Sequence, residues 1–219
     1  MLDIYVSGEN KIFVTAGLAA VMQGLGYSCE VFKPVDIQDT LSFVRFVDPF
    51  IKTGCSYNLK NLYTPVISAA LEGFSIDKNK IISDFQKIKK ECLIVDGCAG
   101  LNTPMGKNFI EKDIIKLLDL PVLLTISAKN CNISKVLLEI NSADDLKRRG
   151  VIITDYCQNI DNPDIKFLPA LIEEYTNTKV FGVLPQFSKN YNPNNLVSEI
   201  MNGIDIEAVF DVTIAKLNS

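Results

Sequence analysis

No histidine occurs anywhere in the 219 residues. Its absence removes the usual general base near neutral pH and the commonest transition-metal ligand, so Ser-His-Asp, Cys-His and His-metal chemistries are excluded. What remains for catalysis is carboxylates, lysines, backbone amides and a hard cation such as Mg²⁺, the set used in phosphoryl transfer. The six cysteines (Cys29, Cys55, Cys92, Cys98, Cys131 and Cys157) form no Cys-x-x-Cys pair. A chain of this length buries an adequate core without disulfides, so they are expected to be reduced, mostly buried thiols. No apolar run approaches the roughly 18 residues of a membrane span, and the N-terminus lacks the basic flank and small-residue cleavage site of a signal peptide. A cytoplasmic protein without a membrane partner is expected. The chain also lacks a long basic run and carries a formal charge of −4. Nucleic-acid binding needs clustered Lys and Arg to displace counterions, so no nucleic-acid partner is expected.

What the chain does contain is ordinary globular composition, 47% hydrophobic and 22% charged, enough for one sizeable core in a single domain over residues 1–219. Apolar runs of strand length (LDIYV, SCEVF, CLIVD, PVLLTIS, GVIIT, KVFGVLP) alternate with stretches of helical period. The pattern predicts an α/β fold, a parallel β-sheet covered by helices on both faces. Continuous apolarity in LIV, VLLTI and VIIT suits strands buried on both sides. Helices are expected at about 13–25, 39–51, 65–72, 77–90, 109–118, 132–148 and 164–176. Asp77 and Asp164 read as helix starts, and Lys147, Arg148 and Arg149 as a helix C-terminal turn. Gly26, Tyr27 and Gly150 fall where helices give way to strands. NYNPNN at 190–195 reads as a surface loop.

In an open parallel sheet, ligands gather at the carboxyl ends of the strands, which here carry SGENKIFVT, FKPVDIQDT, VDGCAGLNTP, SAKNCN, TDY and LPQF. In the phosphate-loop frame Gly-x-x-x-x-Gly-Lys-Ser/Thr, Gly8 and Thr15 fit, whereas Phe13 and Val14 stand where the second glycine and the lysine belong. Those two residues normally let backbone amides converge on a phosphate and supply the main charge-assisted contact. Lys11, inside the same segment, is either a replacement for that charge or a solvated loop lysine.

KPV at 33–35, QDTL at 38–41, VDGCAGLNTP at 95–104 and LPVLLTISAKNCNIS at 120–134 resemble the dethiobiotin synthetase family of P-loop proteins, and the likeness runs over most of the chain. The resemblance implies a P-loop NTPase-like fold and an enzyme using ATP and Mg²⁺. Its reaction would add CO₂ to a small-molecule diamine, 7,8-diaminononanoate, and close a cyclic urea. The resemblance assigns Gly8, Glu9, Asn10, Lys11, Thr15, Thr154 and Pro185 to the nucleotide. It assigns Thr15, Asp39 and Asp96 to the metal, Lys33 to catalysis, and Lys33, Pro65 and Gly97 to the substrate. It also implies a homodimer, with the helix at about 132–148 as a contact element.

Each residue also has a plainer role open to it. Lys33 reads equally as a solvated lysine, Asp39 as the cap of the following helix, and the glycines of GCAG as a turn. Asp96 ends a buried strand and therefore needs a partner. Besides the enzyme, two other readings stay open. One is a catalytically impaired relative that senses a ligand or binds a partner. The other is a cobyrinate diamide synthase-like or partitioning ATPase.

Overall fold

The computed structural model describes residues 2–37, 39–129, 131–157, 162–187 and 192–213. The chain runs β1 (Leu2–Gly8), α1 (Lys11–Gly24), β2 (Cys29–Ile37), α2 (Leu41–Val47), β3 (Lys52–Leu59), α3 (Pro65–Leu71), α4 (Lys78–Gln86) and β4 (Cys92–Asp96). A two-stranded antiparallel ribbon follows, β5 (Pro104–Gly106) and β6 (Phe109–Ile110), and then α5 (Glu111–Leu118), β7 (Val122–Ser127), α6 (Ile133–Asn141) and β8 (Arg148–Thr154). The last elements are α7 (Pro163–Lys166), α8 (Leu168–Thr176), β9 (Val180–Val183), α9 (Pro193–Gly203) and α10 (Ile206–Phe210).

Seven strands form one parallel sheet in the order β3-β2-β4-β1-β7-β8-β9. Because successive side chains alternate between faces, the central strands feed two separate cores. Ile4, Val6, Ile94, Leu123 and Ile152 pack under α1, α2, α9 and α10. Tyr5, Leu93, Val95, Leu124 and Ile153 pack under α4, α5, α6 and α8 on the other side. The expected helix-covered parallel sheet is therefore the observed fold, and burial on both faces explains why its strands read as unbroken apolar runs.

Several boundaries differ from the sequence expectation, each for a local reason. The helix expected at 39–51 is shorter, because the chain turns at Asp48 and enters β3, a strand the apolar pattern does not announce. β3 is an edge strand carrying Gly54 and only two buried residues, Ser56 and Leu59, so it has little apolar signal. The helix expected at 132–148 stops at Asn141; Arg148, Arg149 and Gly150 belong to β8, where the Lys147 carbonyl already accepts from Val122. Gly150 serves packing, since a Cβ there would stand 2.5 Å from the Phe181 ring.

Asp77 does cap α4, accepting from the Asn79 amide at 2.8 Å, but that helix ends at Gln86. The helix expected at 164–176 is divided at Phe167, with Asn162 as its first cap and Asp164 in its first turn. Of the NYNPNN segment, residues 190 and 191 lie outside the described residues, while Pro193 to Asn195 open α9 rather than a loop. All six cysteines are free thiols, but only Cys29 and Cys92 are buried; Cys55, Cys98 and Cys131 are partly exposed and Cys157 is exposed. Among the described residues no helix is long and apolar enough to cross a membrane.

Candidate functional site

The chain leaves β1 through α1 toward β2 on one side of the sheet, and leaves β7 through α6 toward β8 on the other. Such a reversal opens a crevice at the carboxyl ends of the diverging strands. A cleft of about 770 Å³ lies there, lined in part by Gly8, Asn10, Lys11, Cys98, Ser127 and Asp155. The residues that follow β1, β4, β7 and β8 thus meet around one opening, as the sequence order implied.

The β1–α1 connection is only Glu9 and Asn10. Gly8 has φ +121°, and a Cβ on it would lie 2.1 Å from the Thr125 carbonyl oxygen, so no other residue fits. The Glu9 amide donates to that same carbonyl at 3.0 Å. Asn10 sits in the left-handed region and donates from Nδ2 to Asp155 at 2.7 Å and to the Thr154 hydroxyl at 3.3 Å, tying the turn to the end of β8. Phe13 and Val14 are helical, Val14 in the core and Phe13 partly buried against it. Phe13 packs its ring against Phe43 and Phe187 at centroid distances of 5.1 and 5.5 Å, and Val14 is fully buried. A wide amide cradle is therefore replaced by a tight turn and an early helix start.

Thr15, Lys33 and Asp96 come together in the interior, outside the lining of the cleft. Lys33 reaches from β2 to form an ion pair with Asp96 Oδ2, and the Thr15 hydroxyl donates to Asp96 Oδ1 at 3.2 Å. Lys33 is 5% exposed and the other two are fully buried. Burial alone would lower the Lys33 pKa, but the Asp96 carboxylate beside it reverses that effect and holds it above its ordinary value. Lys33 is thus a buried, charged group with a dedicated counter-ion, not a solvated surface lysine.

Glu111, which the sequence reading does not single out, is fully buried at the start of α5. It accepts from the Ser7 hydroxyl at 2.8 Å and from the amides of Cys98, Ala99 and Gly100 at 2.9, 3.2 and 3.4 Å. Burial pushes its pKa up, opposed by Lys11, Ser7 and the amides of Cys98 and Gly100. The turn after β4 is built around this carboxylate: a Cβ on Gly97 would meet Glu111 Oε1 at 2.1 Å. The one available signal was a run of loop amides, GCAG, that needs an acceptor. Cys98 accepts from Lys11 Nζ at its carbonyl, and burial pushes its thiol up to about 12, so it stays protonated and donates to the Val35 carbonyl at 3.6 Å.

Other residues expected at the site lie differently. Asp39, at φ +53°, is exposed and pairs with Arg45 at 2.9 Å. The N-cap position of α2 is Thr40, whose amide and hydroxyl donate to Asp36 of β2 at 3.0 and 2.6 Å. The Thr154 hydroxyl turns inward to the Ile126 carbonyl, 3.4 Å away, and Asp155 takes the cleft-lining place beside it. Pro185 is partly exposed next to Gln186, which lines the cleft. Pro65 is buried at the start of α3. Among the described residues, no group of three or more Asp, Glu or Cys side chains is placed to hold a metal ion. The Thr15 hydroxyl and Asp96 carboxylate nevertheless form an adjacent pair of hard oxygen donors. Such a pair fits Mg²⁺, which keeps waters and substrate phosphates for its remaining positions.

The AAA domain family matches residues 11–194. An ATP-dependent dethiobiotin synthetase from Methanococcus vannielii is 30% identical over 192 residues, covering 81% of this chain and 89% of the relative. Another, from Bacillus velezensis, is 26% identical over 221 residues and covers 94% of both. Among solved structures, the MinD cell division protein of Aquifex aeolicus superposes with a TM-score of 0.54 at 15% identity, over 99% of this chain and 96% of that one. The hydrogenase maturation factor HypB of Archaeoglobus fulgidus gives a TM-score of 0.51 at 10% identity, over 90% and 86%. These two share the P-loop NTPase-like fold.

Proposed function

The chain belongs to the dethiobiotin synthetase family, and from that premise we propose that it is an ATP- and Mg²⁺-dependent enzyme that carboxylates 7,8-diaminononanoate with CO₂ and closes the cyclic urea. The observation that carries this reading is the buried Thr15–Lys33–Asp96 cluster, drawn from α1, β2 and the carboxyl end of β4, the strand whose following residues Cys98 and Ala99 line the switch-point cleft. A charged lysine in a water-poor site with its own carboxylate has little structural purpose, because apolar residues of similar volume would serve the fold as well.

In this reading one amine of the diamine takes up CO₂ as a carbamate, ATP phosphorylates the carbamate, and the second amine attacks to expel phosphate. Lys33 commits one of its three donors to Asp96 and directs its charge at the carbamate and the transferring phosphoryl group. Preorganised charge in a buried site of this kind contributes several kcal/mol, about 3–4 per donor, to transition-state stabilisation. Thr15 and Asp96 would hold Mg²⁺, which would neutralise charge on the phosphates. Asp39 would join them only by exchanging its Arg45 partner for the metal. Asn10 and Asp155, which line the cleft and hydrogen-bond to each other, would face the base in this reading, with Thr154 in contact with Asn10 and Pro185 next to Gln186 of the cleft lining. A cytoplasmic homodimer belongs to the same proposal.

One observation favours a second reading, a ligand-sensing or interaction relative without turnover: the two-residue β1–α1 connection and the packed Phe13 and Val14 remove the usual phosphate cradle. Calorimetric titration with ATP and Mg²⁺, and separately with the diamine, divides the two. Binding of both supports the enzyme; diamine binding without ATP binding favours the sensor; binding of neither ends the enzyme proposal.

A further inference from the structure

On α6 the spacing of Asn132, Lys135, Val136 and Glu139 puts all four on one helix face, and all four line the switch-point cleft. Val136 is buried in the core and turns that face toward the sheet. Glu139, one turn further on, also lines a second cavity of about 290 Å³, formed with Gly100, Leu101, Asn102, Thr103 and Leu138. It therefore stands where the two cavities adjoin. Its carboxylate lies against the turn after β4, since a Cβ on Gly100 would come 3.3 Å from Glu139 Oε1.

Among the described residues three carboxylates line the cleft. Asp155 is committed to Asn10 and Ser127, and Glu9 is open to solvent. Glu139 is half-buried, and among the described residues its carboxylate has neither a hydrogen-bond donor nor an ion-pair partner. Burial and the like charges of Glu9 and Glu111 push its pKa up. An unpaired, partly desolvated carboxylate in a field of its own sign is unfavourable, and a cation entering beside it removes both costs. A divalent ion would gather about six oxygens, whereas one carboxylate suits a singly charged ammonium. We propose that Glu139 receives an ammonium group of the substrate at the junction of the two cavities. The second cavity, lined in part by Leu101 and Leu138, gives room to the alkyl chain that such an ammonium carries. That the ammonium belongs to 7,8-diaminononanoate rests on the dethiobiotin synthetase reading, to which Glu139 adds the residue that recognises an amine.

The test is calorimetric titration of the full chain, as wild type and Glu139→Gln, with 7,8-diaminononanoate, with propane-1,2-diamine and with nonanoate, which keeps the chain and lacks the amines. Glu139→Gln preserves the side-chain shape. Because the carboxylate has no partner to lose, the ligand-free variant melts no lower than wild type. Loss of one charged hydrogen bond weakens both diamines by about ten- to hundred-fold. Nonanoate binds no more weakly to the variant than to wild type. Diaminononanoate binding by Glu139→Gln as tight as wild type overturns the proposal and leaves the diamine reading standing. An equal loss for nonanoate, or a lowered melting temperature in the ligand-free variant, also overturns it. Wild type that binds propane-1,2-diamine through Glu139 but not diaminononanoate keeps the ammonium site while the diaminononanoate reading fails. Wild type that binds neither diamine overturns both.

Discussion

Lys33 and Asp96 form a buried ion pair between β2 and the carboxyl end of β4, with the Thr15 hydroxyl on the other carboxylate oxygen. Removing one partner strands the other charge in the core. Asp96→Ala is therefore expected to cost about 3–5 kcal/mol in urea denaturation at neutral pH. The Lys33 pKa is held above 10.5. The pair's stabilising contribution is fully present below that ordinary value and is lost as pH rises through the folded one. Stability measured in steps above pH 10 should fall more steeply in wild type than in Lys33→Met; parallel curves would show that the pair is not coupled to folding.

Glu111 has the same sign in a lower pH range. Its carboxyl is raised above 4.5, so between that value and the folded one the native state holds more protons, and stability falls as pH rises through the window. Glu111→Gln keeps a carbonyl oxygen for the turn amides and removes the titration. Denaturation midpoints followed upward from pH 4 should flatten in the variant, and an unchanged slope would contradict the assignment.

Gly8→Ala places a Cβ 2.1 Å from the Thr125 carbonyl oxygen at φ +121°. The strain is expected to cost about 1–3 kcal/mol, read as a lowered melting temperature. A variant as stable as wild type would mean that the β1–α1 turn relaxes freely.

On α4, Asp84 accepts from Lys80 at 2.5 Å and Lys87 at 2.9 Å, and these two ammonium groups lower its pKa to about 2. Its contribution is complete above the ordinary carboxylate value of 3.8 and disappears as pH falls through about 2. Carboxyl NMR titration should place the midpoint there. Because both lysines are substantially exposed, Asp84→Asn should cost no more than about 1 kcal/mol.

The parts of the fold with continuous apolar runs were legible in the sequence, because β1, β4, β7 and β8 are buried on both faces. The edge strand β3 was not, since half-exposed polar residues around Gly54 carry no strand period. At the site, Thr15, Lys33 and Asp96 could be named from motifs because each follows or ends a recognisable strand. Glu111 sits in FIEKDII, which reads as an ordinary acidic first turn of a helix. Only the three-dimensional path of the 97–100 turn makes it the acceptor those amides require. Asp39 shows the converse: QDTL places it correctly along the chain, but its left-handed backbone turns the carboxylate to Arg45.

The central claim is that the buried lysine paired with Asp96, Lys33, serves turnover. Its most direct test follows cyclic-urea formation from 7,8-diaminononanoate, CO₂, ATP and Mg²⁺ by wild type and Lys33→Ala, with folding checked by thermal melting. The account predicts product with wild type and a loss of at least about 100-fold in kcat with the variant. No product from wild type, or undiminished turnover by a folded Lys33→Ala, would contradict it.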